Sequence, residues 1–290
     1  MEQAQSSFRL YSRIAEQIAA AIAAGAPTFE MPWHRPNLSF PANAATCLYY
    51  RGINVLSLWV AAQLRGYGTN YWATYRQWSD LGAQVRHAEK GTAILFYREL
   101  EQDTDDDEAP AKRLVARAFF VFNADQVDNW RPPDPLPALG LAVAIDHAEQ
   151  FVRSIGADIR ASAGTACYIP DADYILMPHR ELFVGSTTSS PTESYYATLF
   201  HELVHWTGHA SRIARTFAKR FGDEAYAMEE LVAELGAAFL CAEQKIANAP
   251  RPDHAAYVAG WLRVLGNDPR AIVTAASAAS AAAQYLNSQR

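Results

Sequence analysis

The sequence predicts an α+β protein in two domains, and three observations carry that expectation. At 290 residues the chain is about twice the length of a typical domain. Helical periodicity is interrupted by two strand hairpins and then gives way to an almost wholly helical C-terminal stretch. Between the halves lies Arg-Pro-Pro-Asp-Pro-Leu-Pro (131–137), which can continue neither a helix nor an inner strand and reads as a stiff linker. The expected domains are residues 1–130, α+β, and residues 138–290, mainly helical with a small antiparallel sheet.

The elements follow in order. Tyr11, Ile14, Ile18 and Ile22 recur at helical spacing, and Gly25 stops that helix. A second helix spans Asn54 to Leu64 and ends at Gly66; a short third runs from Thr74 to Leu81. Thr92–Arg98 and Leu114–Phe122 read as a hairpin around the run Glu99 to Glu108, which holds seven acids and is expected to be a solvated loop. The second half opens with a helix from Ala142 to Ile155, closed by Gly156. A hairpin of Ala166–Tyr168 and Tyr174–Met177 follows, turning at Pro170-Asp171. Ser190-Pro191-Thr192-Glu193 is a capping box with proline at the first helical position, so a helix starts there.

Composition excludes several classes. Half the residues are apolar and 19% are charged, enough for a sizeable core and too apolar for a mainly disordered chain. The net charge of −6 argues against a wholly basic nucleic-acid coat. Cys47, Cys167 and Cys241 are scattered, which excludes a disulfide scaffold or a cysteine zinc knuckle. Glu2, Gln3 and Gln5 stand where a signal peptide would begin, and the Ala/Ser-rich tail is too polar to favour a bilayer. A soluble cytoplasmic protein is expected.

The sharpest motif is His201-Glu202-Leu203-Val204-His205. Two histidines four apart share one helical face, where both rings can reach a single ion. Glu202, between them, is placed to act as general base on a water. The extended HExxHxxGxxH pattern fails, because Ser211 occupies the third-histidine position. His209 would lie a further turn away, as an outer support or oxyanion donor. The third ligand is expected from Glu229-Glu230-Leu231-Val232-Ala233-Glu234, beside a buried helical stripe. Glu230 and Glu234 share a face, so one can ligate while the other orients a histidine; the choice falls on Glu230 as ligand and Glu234 as support. Glu229, about 100° away, is the competing ligand or an ion-pair partner of Arg212, Arg215 or Lys219. Two histidines, one carboxylate and an open position fit one Zn2+. Tyr226, His209 or Arg212 could serve a developing oxyanion, and the hairpin ahead of the metal helix could offer an edge to an extended peptide.

Residues 36–98 hold six Lys/Arg against two Asp/Glu and are rich in aromatics. Flat rings accept any base by stacking while cations follow phosphates, a combination suited to single strands without sequence preference. Trp59 and Trp78 fall at helical core positions. Tyr71, Trp72, Tyr75, Arg76, Arg86 and Lys90 are the expected DNA contacts.

Arg51-Gly52-Ile53-Asn54-Val55-Leu56-Ser57-Leu58-Trp59, Trp72-Ala73-Thr74-Tyr75-Arg76-Gln77-Trp78, Glu89-Lys90-Gly91-Thr92 and Val121-Phe122-Asn123 resemble the first domain of ArdC-type antirestriction proteins, shared with conjugative plasmid primases. HELVHWTGH (201–209) and EELVAELGAAFL (229–240) resemble the metallopeptidase-like part of the same family. The likeness covers nearly the whole chain. It implies an N-terminal single-stranded-DNA-binding domain, a C-terminal zincin-like domain, and protection of incoming conjugative DNA from host restriction. Two other readings stand beside it. One is an SprT-like protease acting on DNA-bound host proteins; the other is a passive coat of single strands whose metal only staples the second domain.

Overall fold

A computed structural model describes residues 2–25, 31–34, 39–102, 111–132, 141–186, 188–215, 224–248, 254–268 and 270–289. The first half begins with helix α1 (Glu2–Gly25), whose Ile14, Ile18 and Ile22 form a fully buried stripe. Strand β1 (Ala42–Asn43) and helix α2 (Ile53–Arg65) follow. α2 ends at Gly66, whose left-handed φ of 68° lets its N–H turn back to the Ala62 and Gln63 carbonyls. Strand β2 (Tyr71–Thr74) leads into the short helix α3 (Tyr75–Asp80), capped reciprocally by Thr74 and Gln77. Then come β3 (Gln84–Val85), β4 (Thr92–Gln102), β5 (Ala111–Asn123) and β6 (Val127–Asp128). One sheet has the order β1-β2-β5-β4, and β3 pairs with β6.

The second half holds α4 (Leu141–Ile155), β7 (Ile159–Ser162), β8 (Cys167–Ile169), β9 (Tyr174–Pro178), α5 (Pro191–Thr207), α6 (Glu224–Gln244), α7 (His254–Asn267) and α8 (Ala271–Asn287). Its sheet has the order β7-β9-β8, with β8 an edge strand. α6 packs against both α5 and α8, and the α5–α6 pair carries the chemistry described below.

The halves are not beads on a string. α1 contacts α7 and α8, and α2 contacts α8. One hydrophobic cluster runs from Ile14, Leu56 and Trp59 through Phe200, Leu235 and Phe239 to Ala279. At the junction the rings of Phe40 and Trp59 each lie 5.7 Å from that of Phe239. Smaller clusters around Trp72 and around Trp78 complete the first half.

The expectations need four adjustments. The hairpin is longer than its apolar pattern suggested: pairing continues with Glu99 opposite Leu114 and Glu101 opposite Lys112, so the acidic run starts in strand. The rest of the run, 103–108, lies outside the described residues, as does most of the proline segment. Strands β2 and β7 are absent from the expected elements; β2 pairs with β5, and β7 pairs in parallel with β9. The second sheet is therefore mixed, not purely antiparallel. No helix among the described residues is long and apolar enough to cross a membrane.

Candidate metal centre

The capping box forms as written: Ser190 Oγ accepts from the Glu193 N–H at 3.3 Å, and the Glu193 carboxylate accepts from the Ser190 N–H at 2.8 Å. From this start α5 carries Tyr196, Leu199, Phe200 and Leu203 into the core. His201 and His205 then face one another a turn apart, with Nε2 atoms separated by 3.1 Å. α6 approaches closely because Gly236 has no side chain; a Cβ there would stand 2.6 Å from a Val204 methyl. Glu230 is thereby delivered to both histidines, at 3.4 Å from His201 Nε2 and 3.6 Å from His205 Nε2. One donor atom from each of the three lies within 4.8 Å of the others. These separations suit donors bound to one tetrahedral ion at 2.0–2.1 Å, which sit about 3.3 Å apart.

Charged neighbours surround this cluster. Glu229, 7% exposed, holds His205 Nδ1 at 3.1 Å and receives the Arg215 guanidinium at 2.8 and 3.1 Å. Burial opposes charge on His205, but Glu229's hydrogen bond, with Glu230 and Glu202 nearby, outweighs it and lifts the imidazole to about 8. Burial likewise opposes charge on Glu229, yet His205 and Arg215 hold its carboxyl below the ordinary value. Arg215 itself is fastened to the Thr207 hydroxyl and the Val204 carbonyl at the end of α5.

Glu202 is buried, and its Oε2 accepts from the backbone N–H of Tyr168 at 2.8 Å. The hairpin edge expected to meet a peptide thus gives one donor to Glu202. Glu234 stands 3.9 Å from His201 Nδ1 and accepts from Trp33 Nε1 at 3.0 Å and His34 Nε2 at 2.8 Å. His34 Nδ1 accepts from the Met31 N–H, which leaves its proton on Nε2 for Glu234. Trp33 and His34 had no signal in the sequence: the segment has no periodicity, and its partner is some two hundred residues away.

The other expected residues are spread more widely. Tyr226 hydrogen-bonds Glu230 and Tyr257, and burial foremost pushes its phenol up. His209 caps the turn after α5 through Ser211. Arg212 is stacked over Trp206 and bonded to Asp173 and Tyr168, so its guanidinium is committed to structure. Among the expected DNA contacts, Trp72 is 1% exposed and packs in the core against Tyr67, where no base can reach it. Arg86 is exposed and paired with Glu89, Asp128 and the Asp125 carbonyl. Tyr71 is half-buried against Trp130, while Tyr75, Arg76 and Lys90 are exposed. The apolar side of α2 and the strands explains Trp72: core packing and base stacking select the same residue type.

Comparison with known proteins adds to this picture. Residues 8–127 match the N-terminal domain of the anti-restriction factor ArdC, and residues 146–278 match a zincin-like metallopeptidase family. The chain is 42% identical over 295 residues to the uncharacterized protein y4eC of Sinorhizobium fredii (strain NBRC 101917 / NGR234), spanning 94% of it. It is also 37% identical to a DNA primase TraC of Escherichia coli over 94% of this chain, but spans 19% of that primase. Crystal structures of the antirestriction protein ArdC from plasmid R388, one metal-free and one Mn(II)-bound, superpose with a TM-score of 0.76 at 37% identity over 97% of both chains. Fold and site together define a zincin-like metallopeptidase domain joined to an antirestriction N-terminal domain. The chain belongs to the ArdC family of antirestriction proteins.

Proposed function

We propose that this chain binds single-stranded DNA without sequence preference through its first domain and carries zinc-dependent peptide hydrolysis in its second. Together these protect incoming conjugative plasmid DNA from restriction in the cytoplasm of the recipient. The convergence of His201, His205 and Glu230 next to Glu202 carries the hydrolase reading. Two imidazoles and one carboxylate, with no fourth ligating side chain in the cluster among the described residues, suit a catalytic site better than a closed structural one. The Mn(II) in the R388 relative supports a divalent ion here. Zinc in this site supplies a Lewis acid that makes water acidic enough to attack at neutral pH.

The protein's own groups do the rest. His201 and His205 offer Nε2 and Glu230 an oxygen, while Glu229 and Arg215 fix the His205 ring. Glu202 takes the proton of the attacking water and returns it to the leaving amine. Its Oε2 is fastened to the Tyr168 N–H, leaving Oε1 for the proton. Glu202→Gln is expected to keep its zinc by elemental analysis while losing cleavage of unfolded casein by about a hundredfold or more. Cleavage by the variant at the wild-type rate removes the hydrolase reading. For the first domain, fluorescence anisotropy should show oligothymidine binding tighter than duplex and weakening with salt. In a conjugation assay, loss of restriction protection by Glu202→Ala would tie the chemistry to the biological role; intact protection would favour the passive coat.

A further inference from the structure

A cleft of about 800 Å³ lies between the β4–β5 sheet, the loop 48–53 and helix α8. The register sets Ile94 opposite Phe119 and Phe96 opposite Arg117, so these positions share one face of the hairpin. On that face Phe96 is 58% exposed and Phe119 41%, with their rings 6.2 Å apart. Tyr49, 59% exposed, lines the same cleft from the loop. Exposed rings grouped in a concave site mark an interaction surface rather than scatter.

Charge narrows the occupant. Although the whole chain carries −6, no Asp or Glu among the described residues lines the cleft. Arg51 lines it and Arg117 stands in register with Phe96; neither guanidinium has a carboxylate partner among the described residues, unlike Arg86, Arg212 and Arg215. The opposite wall is α8, an alanine-rich helix with small polar residues toward the cleft. Ser277, Ala281 and Gln284, at helical spacing, are exposed along it. Ser280 accepts from the Gly52 N–H at 2.9 Å, which fixes this wall against the loop. Flat apolar platforms, unpaired guanidinium groups and small hydrogen-bonding side chains together suit a polyanion with exposed π-faces.

We infer that this cleft takes the unpaired bases of a single DNA strand, stacked on Tyr49, Phe96 and Phe119, with Arg51 and Arg117 toward its phosphates and α8 of the metallopeptidase-like half as its second wall. The inference rests on the single-strand reading above and gives it a place. A stack of this kind is open to bases released from a duplex and closed to paired ones.

The test is oligothymidine anisotropy with the full chain at two salt concentrations. Tyr49→Ala and the pair Phe96→Ala/Phe119→Ala are expected to lose about tenfold or more per ring. Arg51→Ala should weaken binding and flatten the salt slope. Ala281→Trp fills the cleft from α8 and should lose affinity comparably although it lies in the other half. Circular dichroism and melting temperature establish that each variant folds, which exposed positions favour. If the wild type binds oligothymidine and these variants bind it equally well, the assignment is overturned while single-strand binding stands, and the cleft is left to an apolar protein segment. If the wild type binds no single strand, both fall.

Discussion

At the scale of single residues, the candidate centre divides into atoms that would hold an ion and atoms that hold those atoms. Glu229 belongs to the second kind: it grips His205 Nδ1 while Arg215 keeps it ionised. Outer partners of this sort set ring orientation and basicity, and their loss typically costs 10–100-fold in metal affinity. Glu229→Gln is therefore expected to bind zinc about tenfold or more weakly in chelator competition. Spacing alone made His201, Glu202, His205 and Glu230 legible, because helical geometry fixes which residues share a face. It could not show what approaches His205 from the other side, nor that Trp72 would be spent on the core. Those facts depend on neighbours that are distant in sequence.

Between elements, the decisive contact is the crossing of α5 and α6. Gly236 sits mid-helix, where it would normally cost about 1 kcal/mol against alanine. The close approach of Val204, flanked by the two histidines of its own helix, explains it. Gly236→Ala is expected to destabilise the chain by about 1–3 kcal/mol through overpacking, read by urea denaturation. It should also lower zinc affinity by drawing Glu230 away from the histidines. Helix termini were readable here because caps are local: Ser190 with Glu193, Gly66 after α2. Strands β2 and β7 were not, since strands of four residues carry too short a pattern and are defined by the partners they pair with.

Across the whole molecule, the N-terminal half reaches into the candidate centre through Trp33 and His34 on Glu234. His34→Ala removes one donor from that buried carboxylate, which then interacts differently with His201. A zinc affinity lowered up to about tenfold, by isothermal titration, is the expected outcome; unchanged affinity would reduce the contact to packing. Composition and the proline segment made two modules legible, but not that they share one interior. That shows in the fold, where α1 and α2 pack on α8 and Trp59 and Phe40 meet Phe239.

This seam bears on how such proteins are passed between genomes. Cutting at the prolines would strip cover from large rings on both sides, leaving each fragment sticky and poorly folded. Recombination that moved either piece alone would be penalised, while transfer of the pair as a cassette would be tolerated. The TraC primases fit this: the likeness covers 94% and 92% of the present chain, both modules included, inside far longer polypeptides.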